Sequence, residues 1–329
     1  MSKVALWGAA GVVGQSVASA LRAEGRAYRV VGRKRAALES RFGADPLAEI
    51  VTSDPGDPAS VRAAADGIET IVYLVGVEYT RFELHPVIMR ATLDAAIAAG
   101  VKRMLLIGTV YPYGRPQSNP VREEHPRTPH TFKGAMRKAQ EDLLLAADRD
   151  GSIRGAVLRL PDFYGPGVAN SLLTGLFTAG AAGKTANLIG PIDAPHEFVY
   201  VPDVGPVVAR LLDEPGTYGR VWHLAGAGIT TERAMVERVE RELGRPVKTM
   251  VVGKTLLRLL GLFNPVMREF VEMHYLMTSP VILDDSALYA LLGPIRKTSY
   301  DEGVRAVLAS QGSGRGRSAA GAALLAEAN

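Results

Sequence analysis

Three glycines, Gly8, Gly11 and Gly14, stand at three-residue spacing in "GAAGVVG", directly after the apolar run "KVALW". Small residues at that spacing let a chain turn pass close to a pyrophosphate. Val12 and Val13 lie in this turn, and the helix that follows offers free N–H groups and the positive end of its dipole. A second apolar run ends in "VVGRKR", placing Arg33, Lys34 and Arg35 together with no acid among them. A carboxylate there would bond both hydroxyls of an adenosine ribose, whereas a guanidinium suits a 2′-phosphate through charge-assisted bonds. The residues therefore favour NADP(H), with NAD(H) left open; Arg33 is the first contact and Arg35 the second. Further along, His196 adjoins Glu197 as a candidate acid–base pair, but no other carboxylate or histidine joins them at metal-ligand spacing. The chain has no cysteine, which excludes disulfides, thiolate nucleophiles and cysteine metal sites.

The elements that must position these groups alternate over the first 160 residues. "KVALWGAA", "YRVVGR", "IETIVYLVG", "VKRMLLIGT" and "IRGAVLRLP" read as strands. "QSVASALRAEG", "ASVRAAADG", "HPVIMRATLDAAIAAG" and "GAMRKAQEDLLLAADRDG" read as helices, each stopped by glycine. Strands that are apolar throughout and separated by helices imply a parallel sheet covered on both faces. The fold class is α/β: a Rossmann-like doubly wound parallel sheet with a smaller C-terminal substrate lobe. Ligands of such sheets bind at the carboxyl ends of the strands, where Gly8, Arg33, Asp54, Gly76, Thr109 and Pro161 all fall.

The segments "GAAGVVG", "SDPGDPASV", "IVYLVG", "AAGVKRMLLIGTVYPYG", "LRLPDFYGPG", "HEFVYVPDVG" and "VWHLAG" together resemble the short-chain dehydrogenase/reductases of the extended or atypical type, in the NAD-dependent epimerase/dehydratase group. The likeness covers roughly residues 3–310. It implies that Asp54 holds the adenine amino group, that Leu74, Val75 and Gly76 line the adenosine, and that Pro161 to Phe163 lie beside the nicotinamide. Asp203 is expected to anchor a helix start.

That family works with an Asn, a Ser or Thr, a Tyr, and a Lys four residues after the Tyr. Counted within the motifs above, the resemblance puts Thr109 at the Ser/Thr position, Lys138 at the lysine and His85 at the asparagine. It puts Gly134 where the tyrosine belongs. Lys133 lies about 100° round the helix from Gly134 and so does not substitute from the same direction. A relocated acid is the expectation: Tyr111, two residues after Thr109 on the same side of an extended chain. It would be assisted by Thr109 and by Lys133 or Lys138, and would fill the space a missing side chain leaves. Tyr113 is the second candidate donor.

After residue 160 the chain is less regular. The domain reading is 1–160 for the NADP(H)-binding Rossmann unit, 161–310 for the substrate lobe with elements returning to the sheet, and 311–329 for a flexible Gly/Ser/Arg tail. His85, Phe163, Tyr164, Leu172, Leu173, Phe177 and His196 are the candidate substrate lining. So apolar a set suits a small, largely uncharged molecule better than a nucleotide sugar. Leu256, Leu259, Leu260 and Phe263 form a helical stripe, expected to pack in the core or a dimer rather than on lipid. The net charge of +4 is small for 329 residues, so no nucleic acid is expected, and no apolar run approaches a membrane span. No signal peptide is read at the N-terminus, and the expected compartment is the cytoplasm; the resemblance implies a homodimer. The leading functional reading is an NADP(H)-dependent oxidoreductase on a small, largely apolar carbonyl compound. A cofactor-retaining epimerase or dehydratase, and a non-catalytic NADP(H)-sensing regulator, stay open beside it.

Overall fold

The computed structural model describes residues 3–263 and 265–314. In the first half, β1 (Val4–Trp7), α1 (Val12–Ala23), β2 (Tyr28–Gly32), α2 (Arg35–Phe42) and β3 (Ala48–Thr52) lead to α3 (Pro58–Ala65) and β4 (Thr70–Tyr73). Then come α4 (Leu84–Ala98), β5 (Arg103–Thr109), α5 (Phe132–Arg149) and β6 (Arg154–Leu160). The second half opens with β7 (Asp162–Tyr164), α6 (Thr174–Ala182), β8 (Ala186–Ile189), β9 (Phe198–Tyr200), α7 (Val201–Asp213) and β10 (Arg220–His223). It closes with α8 (Glu232–Leu243), β11 (Thr249–Val252), α9 (Lys254–Leu260), α10 (Pro265–Met273), α11 (Tyr275–Thr278), α12 (Ser286–Leu292) and α13 (Tyr300–Gly314).

Seven strands form one parallel sheet in the order β10-β6-β5-β4-β1-β2-β3. Their apolar runs are buried on both faces. One face packs Val17, Leu21, Val204 and Val208 of α1 and α7 against the sheet, and the other packs Val61, Met89, Leu93 and Leu144 of α3, α4 and α5. β3 is only half apolar, with Glu49 between Ala48 and Ile50. Such a strand fits a sheet edge that meets solvent on one side. α7 and β10 join the sheet from the second half of the chain. The lobe proper has its own core, in which Leu176, Met235 and Val304 meet beside the small parallel pair β8 and β11.

Three readings of the sequence change here. Asp203 lies within the first turn of α7 rather than capping it, and its carboxylate takes the N–H and hydroxyl of Thr298 at 2.7 and 2.8 Å. Residues 311–314, read as the start of a linker, continue α13; the rest of that tail lies outside the described residues. Of the stripe read as core or dimer packing, Leu256, Leu259 and Phe263 do not enter the core: among the residues of α9 whose side chains are described only Leu257 is buried, while Leu259 is 56% and Phe263 86% exposed. Leu260 lies outside the residues whose side chains are described. Among the described residues no helix is long and apolar enough to cross a membrane.

One charged pair sits inside the sheet's packing. Arg159 of β6 interrupts an apolar strand, and its guanidinium bonds the Glu141 carboxylate of α5 at 2.5 and 3.1 Å, both side chains nearly inaccessible. Gly108, paired with Arg159 across β5 and β6, leaves the room: a Cβ there would come within 2.9 Å of Val157 and 3.1 Å of Glu141. Removing one partner strands the other charge away from water. Glu141→Ala is therefore expected to lower unfolding free energy by about 3–5 kcal/mol, read from urea titration; a loss under 1 kcal/mol would mean the pair is solvated.

Candidate functional site

The cleft lies over the carboxyl ends of β1, β2 and β4 and encloses about 1230 Å³. Gly8, Gly11, Val12, Val13 and Gly14 form its floor, Leu74, Val75 and Gly76 one wall, and Phe163 and Gly167 the far side. Gly8 has φ of +86°, and a Cβ there would stand 2.9 Å from the backbone of Leu74 and Val75. The cradle is thus one that a side chain would block. Gly11 is the N-cap of α1, extended and without any side-chain cap, and no acid stands in the first turn. Free N–H groups and a positive dipole end are what a bound diphosphate uses. The residues present fit a dinucleotide.

At the β2 end, Arg33 and Lys34 line the cleft, joined by Arg41 of α2, which motif spacing did not single out. Arg35 is turned away: it opens α2 and bonds Glu39 four residues on at 2.7 Å. Asp54 folds its carboxylate back onto the N–H of Gly56 at 2.9 Å, and its neighbours Ser53 and Pro55 line the cleft instead.

At the β5 end the arrangement differs from the expected set. Gly134 leaves no vacancy for a relocated phenol. It is the third residue of α5, its N–H capped by Thr131 Oγ1 at 3.1 Å. A Cβ on it would meet Tyr111 O and Pro129 Cβ at 2.8 Å. Lys138 sits on the helix flank, one-third exposed, with Nζ 2.7 Å from Asp142. The buried residues of α5 are Lys133, Gly134, Arg137, Gln140, Glu141, Leu144 and Ala147. Lys133, read as displaced from the tyrosine direction, is the inward group. Its ammonium bonds Glu272 of α10 at 2.7 Å and also Glu269, and lies 5.0 Å from the Tyr79 ring centre. One turn on, Arg137 bonds Ile107 O and His85 Nδ1, each at 3.2 Å. His85 is therefore a buried prop for Arg137. Burial, then the guanidinium charge, pushes its imidazole down to about 3.

Thr109 ends β5 and accepts the backbone N–H of Tyr111 at 3.3 Å. The chain then makes a single 3₁₀ turn over Tyr111–Tyr113 instead of continuing extended. Tyr111 lies beside Tyr79, stacks near Phe82, and feels the charges of Asp162 and Arg137. Burial pushes its phenol well above the ordinary 10, so it stays protonated. Tyr113 is a structural group. Fully buried, it lies 2.5 Å from both His223 Nε2 and the Arg159 guanidinium, and burial raises it to about 12. α10 roofs this nest: besides its two carboxylates on Lys133, Phe270 packs on Tyr79 with ring centres 5.6 Å apart.

The lobe residues divide. Phe163 lines the cleft, whereas Tyr164, Leu173 and Phe177 are buried in the lobe's core, with Leu172 partly buried against it. His196 is brought to Asp162, next to Phe163, with Nε2 2.8 Å from Oδ2. Burial lowers the imidazole, but the hydrogen bond and charge of Asp162 more than offset it, and its pKa is raised. Behind it Glu232 is buried with both carboxylate oxygens unpartnered, and burial lifts it to about 8. Glu197 turns the other way, to the N–H groups of Gly226 and Leu283, so it does not act with His196. Arg137, Tyr79 and Glu232 were missed because no motif assigns them a role, and Asp162 was covered only by the stretch Pro161 to Phe163. The usable signal was Arg159: a charge inside an apolar strand needs a buried acid, and Glu141 fixes which side of α5 faces in.

The match to the NAD dependent epimerase/dehydratase family spans residues 4–225. The chain belongs to that family. Among its relatives is the dTDP-6-deoxy-L-talose 4-dehydrogenase (NAD(P)(+)) of Kitasatospora kifunensis, 29% identical over 75% of this chain and 81% of that protein. Another is the D-erythronate dehydrogenase of Cupriavidus necator, 28% identical over 63% and 69%. Of solved structures, the dTDP-glucose 4,6-dehydratase of Streptomyces venezuelae with NAD bound superposes with a TM-score of 0.80 at 20% identity, covering 95% of this chain and 98% of that one. The family membership establishes a Rossmann-like fold and an NAD(P)-dependent dehydrogenase, reductase or epimerase background.

The buried carboxyl of Glu232 makes stability depend on pH. Its pKa rises from 4.5 in the unfolded chain to about 8 in the folded one, so between these values the folded state holds a proton that the unfolded state has lost. Stability therefore falls as pH rises from 4.5 to 8, by up to about 1.4 kcal/mol per pH unit. Glu232→Gln, neutral in both states, should remove most of that decline in melting curves taken at intervals across this range. An unchanged slope would place the titration elsewhere.

Proposed function

We propose that this family member is an NADP(H)-dependent oxidoreductase that reduces a small, largely apolar carbonyl compound, with Tyr111 as proton donor. The observation that carries this reading is the nest at the end of β5. A protonated phenol stands beside Tyr79 and Phe82, with the charge of Arg137 acting on it, while Lys133 lies over the Tyr79 and Phe82 rings and Phe270 packs on Tyr79. Lys133 and Arg137 keep the four-residue spacing of the family's Tyr and Lys. We place them, rather than Gly134 and Lys138, at those two positions. The aromatic walls favour an apolar substrate, and Glu269 and Glu272 already neutralise Lys133, which disfavours an acidic one.

The reduced dinucleotide supplies the hydride. Tyr111 gives its proton to the oxygen that becomes an alkoxide, a step that positioned side chains commonly accelerate about 10²–10⁴-fold. Arg137 holds positive charge beside that oxygen, and Ile107 O and His85 fix its direction. Lys133 draws α10 down over the nest, which excludes water and strengthens each charge inside it. Arg33, Lys34 and Arg41 support the choice of the phosphorylated cofactor, since these three cations line the cleft at its β2–α2 end and the one acid of the lining, Glu78, follows β4 instead.

Two outcomes are expected. Arg33→Ala should weaken NADPH binding about 10- to 100-fold while leaving NADH nearly unchanged, measured by isothermal titration. Equal losses for both would remove the preference. In a screen of apolar ketones and aldehydes, Tyr111→Phe should lower kcat about 10²–10⁴-fold with KM little altered. Tyr113→Phe should retain turnover and melt earlier. Full activity in Tyr111→Phe would refute the assignment, and a sugar converted with no net cofactor oxidation would support an epimerase instead.

A further inference from the structure

The hairpin of α9 and α10 carries an unexplained surface. Residues 248–268 include four basic side chains, Lys248, Lys254, Arg258 and Arg268, and no acidic one. All four are exposed, and none pairs with a carboxylate among the described residues. Interleaved with them are exposed apolar side chains: Met250 and Val251 on β11, Leu259 on α9, and Leu262 and Phe263 in the turn after it. Exposure peaks at that turn, 74% for Leu262 and 86% for Phe263. A soluble surface scatters such residues singly; here these five fall between Lys248 and Arg268, interspersed with four exposed cations.

We propose that this hairpin docks on a lipid surface containing anionic headgroups, Leu262 and Phe263 entering the headgroup–acyl boundary while the four cations meet the phosphates. Apolar residues at a basic, acid-free tip are the composition of interfacial segments. Charge argues against a second copy of this chain: a twofold contact sets the same patch against itself and would bring four positive charges onto four. The docking element is also the roof of the nest, since Glu269, Phe270 and Glu272 follow directly on α10 and contact Lys133 and Tyr79. Docking at the tip thus sets the element that roofs the nest against the phase that would contain an apolar substrate.

The test is co-sedimentation of the full chain with vesicles of phosphatidylcholine alone or mixed with phosphatidylglycerol, over a salt series. Binding is expected to the mixed vesicles only and to weaken as salt rises. Lys254→Gln with Arg258→Gln should reduce the partition coefficient about 30-fold, and Leu262→Ser with Phe263→Ser by at least about tenfold. All four positions are exposed, so melting temperatures should stay at the native value. No sedimentation with either vesicle overturns the proposal, as does equal binding by both double variants. A dimer in light scattering that Leu262→Ser with Phe263→Ser converts to monomer would assign the patch to self-association instead. The assay reads binding without turnover, so its failure leaves the oxidoreductase reading untouched.

Discussion

The ion pair between Arg159 and Glu141 decides which residues of α5 meet the strand ends. A guanidinium planted inside an apolar strand has no water to turn to, so the helix above must rotate until its acid arrives. With Glu141 fixed, the positions four and eight residues earlier, Arg137 and Lys133, share its side of the helix by periodicity alone. Lys138 is turned one step round, and Gly134 is buried against Pro129 and the Tyr111 backbone. The same pair ties in Tyr113 and through it His223, joining β5, β6 and β10 to the helix. The chemistry proposed for Tyr111 depends on this rotation, because it brings the charge of Arg137 to that phenol and Lys133 over the neighbouring Tyr79 and Phe82 rings.

The two ends of the site are built on opposite electrostatic terms. At the β2 end the cations Arg33, Lys34 and Arg41 are open to solvent and lack acidic neighbours in the cleft wall near them, an arrangement that attracts phosphate from a distance. At the β5 end, Lys133 is almost wholly buried but answered by two carboxylates from α10, and Arg137 is held by a carbonyl and a neutral imidazole. Charge is thus balanced within the nest before a substrate enters. A neutral molecule would cost no further uncompensated charge there, whereas an acid would have to displace Glu269 or Glu272.

Much of the architecture could be read along the chain. β1, β4, β5 and β6 are short apolar runs bounded by glycine, and the glycine turn after β1 lies where the structure has its cleft. Arg33, Leu74 and Phe163 are at its wall because their positions follow from strand ends, which periodicity locates well. The nest was harder. A register error of one residue on a helix turns the side chain by about 100°, and counting along a motif cannot detect it; only the partner of Arg159, 18 residues away, can. Tyr111 was placed by an extended-chain argument that the 3₁₀ turn overrides, and it reaches the nest through Tyr79, which no motif contains. Tyr164 and Phe177 look like lining in sequence because an aromatic in a lobe core and one facing a ligand have the same local pattern.

The rotation of α5 is tested most directly by a crystal structure of the protein with NADP(H) and a carbonyl inhibitor bound. The account predicts Arg137 and Lys133 facing the nicotinamide end, with Tyr111 Oη within hydrogen-bond reach of the inhibitor oxygen and Lys138 still on Asp142. Lys138 turned inward onto the nicotinamide ribose, with Arg137 and Lys133 away from the ligand, would contradict it.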